Sequence, residues 1–240
     1  MAIPQVDSVA TTTMLVAGTS LDAVVPSGSN GDYLIAVWWA GGTFTPPSGW
    51  DHVVTQGENT FGSGEIRAYA RVADGSEGAT EEFTWTDTKF GNVAIARLSD
   101  VDVDDPINAT NSTAGPNSDT QTSPSVTTDV PNCLILRALA TDRIALAPFT
   151  HPSGHTEIWD FNGAVSFDAS AGTAAVIEQP SAGASGTAVF VMSASRPVPL
   201  ITIAIAGAED EEPGVQGTYV ASGNELRRLI RMRYIRLYLK

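Results

Sequence analysis

A single cysteine, Cys133, rules out an intrachain disulfide, so packing must hold this chain together. It lies in the apolar run "CLIL", which predicts a buried, inert thiol. Long apolar runs are missing too. No stretch reaches the ~18–20 residues that cross a bilayer as a helix, which predicts no membrane insertion. The opening "MAIPQVDSVATTT" has neither the basic nor the apolar segment of a secretion signal, so a protein made in the cytoplasm and not secreted by that route is expected. Charged residues make up only 17% of the chain, and basic ones are the scarcer, with 13 Lys and Arg against 27 Asp and Glu and a net charge of −14. Residues 1–223 carry 7 basic and 26 acidic side chains, a net of −19, while 224–240 carry 6 basic and 1 acidic, a net of +5. An acidic body of this kind repels polyanions, so nucleic acid is not an expected partner.

What is abundant points to strands. Hydrophobic residues are 42% of the 240, enough for a substantial core, and the Thr, Ser, Ala, Val and Gly richness favours short strands over long helices. Two hexapeptides, "TPPSGW" (45–50) and "THPSGH" (150–155), nearly match. Their flanks fall into register as well. "GDYLIAV" (31–37) answers "PNCLILR" (131–137), pairing Leu34 with Leu134 and Ile35 with Ile135. "GEIRAYARVADGSEGATEEFTWT" (64–86) answers "AGTAAVIEQPSAGASGTAVFVMS" (171–193), and "GNVAIARLSD" (91–100) answers "VPLITIAIAG" (198–207). With "TMLVAG" (13–18), about ten to twelve short strands follow at roughly 8–12-residue spacing. The expected fold is all-β: a jelly-roll-like antiparallel β-sandwich over residues 1–207, built from an internal duplication with halves near 15–100 and 122–207 and one shared core. Leu34, Ile35, Val37, Leu134, Ile135, Val189, Val191, Ile201 and Ile203 are its predicted buried residues. "IRAYARV" alternates, which predicts a strand with Ile66, Ala68, Ala70 and Val72 on the core and Arg67, Tyr69 and Arg71 in water. The polar segment 100–129 is expected as a long crossover.

Beyond Gly207, residues 208–223 read as an acidic, Gly-containing linker. The final "NELRRLIRMRYIRLYLK" (224–240) has Asn224 as an N-cap, with Leu226, Ile230, Tyr234 and Leu237 on one helical face. A basic amphipathic arm is expected there, with a terminal strand as the alternative. Its predicted partner-binding residues are Leu226, Arg227, Arg228, Ile230, Arg231, Arg233, Tyr234 and Leu237. So many apolar groups need burial, and the arginines suit an acidic surface.

Chemistry-bearing residues are few. Asp100, Asp102 and Asp104 alternate in "DVDVDD" and are the metal candidates, weak ones, since neither the Gly nor the Glu of an EF-hand loop follows. A solvated acidic turn is the plainer reading. His151 and His155 are four apart, but a Pro-Ser-Gly turn between them prevents a shared helical face, and His52 stands alone. All three read as turn residues. Carboxylate pairs such as Glu81/Glu82 and Glu157/Asp160 have the chemistry of a glycosidase pair, but spacing along the chain does not set their separation. Trp38, Trp39, Trp50, Trp85 and Trp159 offer a sugar-stacking platform, against which core packing is the stronger reading. Trp38 and Trp39, being adjacent in a strand, are expected to place at most one indole in the core. No catalytic residue and no cofactor is assigned.

The doubled unit, with "PSGW", "RAYARVADGSEGATEEFTW" and, between copies, "ATNSTAG" and "SPSVTTDVPNCLIL", resembles β-sandwich proteins encoded among the structural genes of tailed bacteriophages and prophages. The resemblance covers roughly residues 15–207. It implies a virion component, made in the host cytoplasm and not an enzyme: foremost a capsid decoration or cement protein, alternatively a head fibre or a neck or tail appendage. The implied partners are other virion proteins and copies of itself in a homo-oligomer. A host-adsorption module that binds surface glycans is the competing class.

Overall fold

The computed structural model describes residues 2–57, 64–141, 148–162 and 170–209. These form seventeen strands. The first eight are β1 (Gln5–Thr13), β2 (Gly18–Val24), β3 (Tyr33–Gly41), β4 (Phe44–Thr45), β5 (Asp51–Gly57), β6 (Gly64–Val72), β7 (Thr80–Lys89) and β8 (Asn92–Ser99). The rest are β9 (Ile107–Ala114), β10 (Ser118–Ser123), β11 (Thr127–Thr128), β12 (Cys133–Thr141), β13 (Thr156–Asn162), β14 (Ala171–Gln179), β15 (Gly183–Ala184), β16 (Ala188–Arg196) and β17 (Pro199–Ala206). Every pairing between them is antiparallel, and the protein is an all-β sandwich.

Two five-stranded sheets dominate, ordered β1-β8-β3-β6-β5 and β9-β17-β12-β14-β13. The smaller sheets correspond too. β2-β7-β4 in the first half is answered by β10-β16, with Thr150 bridging Val191 as Thr45 pairs with Thr84; β11-β15 has no counterpart among the described strands. The ladders fix which residues occupy equivalent places. Ile35 lies between Ala70 and Ala96, and Leu136 lies between Val176 and Ile203. Leu34 therefore corresponds to Ile135 and not to Leu134. The register read from sequence is one residue out in this strand, and in a strand one residue changes the face.

The sheets stack in layers. Tyr33, Ile35, Val37 and Trp39 of β3 meet Leu134, Leu136, Ala138 and Ala140 of β12 in the core between the two large sheets. The opposite face of β3, with Leu34, Ala36, Trp38 and Ala40, packs on Phe44, Phe83 and Trp85 of the first small sheet. In the second half Leu139, Ala175 and Leu200 pack on Phe149, Phe190 and Met192, while Cys133 and Ile135 pack on Val126. Each half thus keeps an inner core of its own beside the shared one, where one shared core was expected.

That layering corrects several expectations. Trp38 and Trp39 are both buried, because the large sheet is covered on both faces; truncating either removes roughly 3–5 kcal/mol of packing. For the same reason the second face of β6 does not meet water: Tyr69 is buried and the Arg71 side chain nearly so, whereas Val72 at the strand end is exposed. Val189 and Val191 are exposed, and Ala188, Phe190 and Met192 alternate with them inward. "TMLVAG" is a loop for most of its length, with Leu15 and Val16 in solvent. Residues 100–129 hold β9, β10 and β11, so they are part of the second half and no mere crossover. The matching units therefore begin at β1 and β9, well before 15 and 122. Both are edge strands of half-exposed, Thr- and Ser-rich sequence, which give no apolar signal.

Candidate functional site

The two hexapeptides are the same turn. Trp50 N–H donates to Pro47 O at 3.4 Å and His155 N–H to Pro152 O at 3.1 Å, around Gly49 and Gly154 at φ of +87° and +77°. A positive φ at the third position of such a turn suits glycine, since a Cβ there is strained. Each turn delivers the chain into an edge strand with a register shift at the same place, Val53 in β5 and Ile158 in β13. An extra residue in a strand inverts the alternation. Residues three apart across the shift then share a side, and His52 indeed reaches Thr55, Nε2 to Oγ1 at 2.7 Å.

In β13 that inversion brings Glu157 and Asp160 together, and His151, one residue before the turn, comes between them. His151 Nδ1 is 3.5 Å from Glu157 Oε2, and Nε2 is 3.7 Å from Asp160 Oδ1. One ligand atom from each of the three lies within 4.8 Å of the others. Thr173 on β14 closes the group, its Oγ1 2.6 Å from His151 Nε2 and donating to Trp159 O at 3.1 Å. The imidazole stands edge-on to the buried Phe190 ring, with centroids 6.2 Å apart. Burial pushes the Asp160 carboxyl above its usual range, against the lowering effects of Thr173 and His151. Glu157 is half exposed and opens onto a cleft lined also by Leu134, Ile158 and Val176. Chemically, the set is one imidazole and two carboxylates aimed at one small volume, suited to holding a cation.

The sequence candidates fare differently. Asp100, Asp102 and Asp104 do not converge: the Asp102 carboxylate accepts the backbone N–H groups of Asp104 and Asp105 and so caps its own turn. His155 is separate from His151, its Nδ1 3.3 Å from Ser153 O, and burial lowers its pKa. Glu81 accepts the Trp50 indole N–H and lies 3.3 Å from Arg71, which also reaches Asp74 and Glu77. That network holds the first Pro-Ser-Gly turn. All five tryptophans are at most 6% exposed, so no indole face is open to a sugar ring. Leu226, Arg227, Arg228, Ile230, Arg231, Arg233, Tyr234 and Leu237 lie outside the described residues. The His151 group was missed because its ligands are joined by a turn and a bulge, neither of which shows as a spacing motif. The available signal was that Glu157 and Asp160, set aside as one acid pair among many, follow a histidine placed just ahead of the second of two matching turns.

No family model, curated protein or solved structure matches this chain.

Proposed function

We propose that this chain is a non-enzymatic structural protein of a tailed-phage particle, foremost a capsid decoration protein attached through residues 224–240. The observation that carries the reading is the layered body: both faces of both large sheets are covered, which makes a stiff block. The sequence resemblance supports it, and so does the charge split between an acidic body and a basic end. The halves are, in this reading, copies of one jelly-roll-like unit. Support comes from the matching strand order, the matching register shift in β5 and β13 and the matching turn. A glycan-binding role through stacked indoles loses its basis with the burial of all five tryptophans.

Truncation after Gly223 tests the attachment. The expected product is a folded body that no longer enters particles or oligomers, and labelled full-length protein should map to the capsid surface. Normal incorporation of the truncated protein overturns the anchoring role; labelling confined to the neck or tail overturns the decoration assignment.

A further inference from the structure

We propose that His151 Nδ1, Glu157 and Asp160 bind one divalent transition-metal ion of the zinc class, which fastens the segment before the second Pro-Ser-Gly turn to β13. Thr173 Oγ1 has one hydrogen, and its other neighbours, Trp159 O and the Asp160 carboxylate, only accept. The short contact between His151 Nε2 and Thr173 Oγ1 is therefore donated by the imidazole. Nε2 carries the hydrogen, and in the neutral ring Nδ1 is left with a lone pair facing Glu157 at 3.5 Å. A lone pair against a carboxylate is repulsive unless a positive centre stands between them. A bound metal ion supplies one.

The geometry suits the metal. Ligand atoms about 2.0–2.1 Å from a tetrahedral zinc stand roughly 3.3 Å apart, close to the observed 3.5 Å between Nδ1 and Oε2, while Asp160, whose Oδ1 stands 3.7 Å from Nε2, joins an ion on Nδ1 by rotating its carboxylate. A ligating histidine characteristically donates its other N–H to a fixed acceptor, which sets the ring, and Thr173 is that acceptor here. One nitrogen with two carboxylate oxygens favours zinc, manganese or cobalt over calcium, which prefers oxygen alone. The half-exposed Glu157 carboxylate leaves the ion open to solvent, so water completes the coordination.

The first half provides an internal comparison. The places of His151, Glu157, Asp160 and Thr173 are taken there by Pro46, His52, Thr55 and Arg67. In that half the positive charge is covalent: the Arg67 guanidinium stands 4.3 Å from the centre of the Phe44 ring and pairs with Glu65. In the second half a threonine replaces the guanidinium and two carboxylates gather at the vacated place.

Calorimetric titration of the full-length protein with Zn²⁺, and visible absorption with Co²⁺, test the proposal. The expected result is one ion per chain and a tetrahedral Co²⁺ band, with affinity lowered at least ~10-fold by His151→Ala, Asp160→Asn and Glu157→Gln, and about 10-fold by Thr173→Val, while His52→Ala and Asp102→Asn change nothing. Glu157 is half exposed, so Glu157→Gln reads the site without endangering the fold even if His151→Ala unfolds. Zn²⁺ uptake no greater than that of Ca²⁺, or uptake undiminished in Glu157→Gln and Asp160→Asn, overturns the proposal, the latter by showing general binding to an acidic surface.

Discussion

Tyr33 opens the central strand of the first large sheet and is buried in the core shared with the second. Burial and the nearby Asp51 push its phenol well above the ordinary value of 10.0. A group with a raised folded pKa binds its proton more tightly in the native state, so its contribution is complete below the unfolded pKa and is lost as pH rises beyond it. Denaturant midpoints measured from pH 8 upward should therefore fall once pH passes about 10. Tyr33→Phe should show a shallower fall over that range; equal slopes for the two proteins would refute the assignment. Buried arginines show another logic at this scale. Arg97 on β8 donates to Pro26 O and Ser29 O and pairs with Asp32, whereas Arg137 on β12 is fully buried and donates to Ser123 Oγ, Pro124 O and Gly186 O. Arg137 is held at its two terminal nitrogens by neutral oxygens without a counter-charge, its buried Nε–H finds no acceptor among the described residues, and burial lowers its pKa.

At the scale of elements, β16 tests how alternation is read. Its sequence, "AVFVMSASR", is apolar at its first five positions, and only a partner sheet on one side decides which parity is inward. Phe190 and Met192 face the second large sheet, while Val189 and Val191 face solvent. Phe190→Ala should cost roughly 3–5 kcal/mol, and Val189→Thr or Val191→Thr within about 0.5 kcal/mol of nothing, by urea denaturation. A large loss from either valine would mean that the outer face is covered. The same reasoning explains what could be read from the sequence. The β class, the Pro-Ser-Gly turns and the strands β3, β6, β8, β12, β14 and β17 carry apolar or alternating patterns that announce them. β1 and β9 do not, because an edge strand of Thr, Ser and Asn looks like a loop until its partner is known. The inversion at Val53 and Ile158, which decides where Glu157 and Asp160 point, comes from pairing across strands. A sequence spacing of three hides it.

For the body as a whole, residues 2–209, the governing fact is that the two large sheets cover each other. β1 lies against β13 and β5 against β9, which places corresponding edge strands at opposite ends of the interface, as a two-fold arrangement of the halves would. Equivalent clefts follow, one by Thr156, Glu157 and Ile158 and the other by Asp51, His52 and Val53. Each half has an inner core between its large and small sheets, and at about 100 residues either is long enough to form it. Neither can leave its large sheet bare. Tyr33, Ile35, Val37, Trp39, Ile66 and Leu98 from the first half would become a continuous apolar surface, of the kind that drives association. Because the arrangement is two-fold in character, a second copy of one half presents a surface related to the one it has lost. Residues 1–104 expressed alone should therefore form a homodimer or precipitate, and Ile35→Asp with Val37→Asp should release a monomer if the inner core survives. Sedimentation equilibrium decides: a monodisperse, folded monomer of unmodified 1–104 would show that the shared core adds little, and that the halves stand together only because one chain joins them.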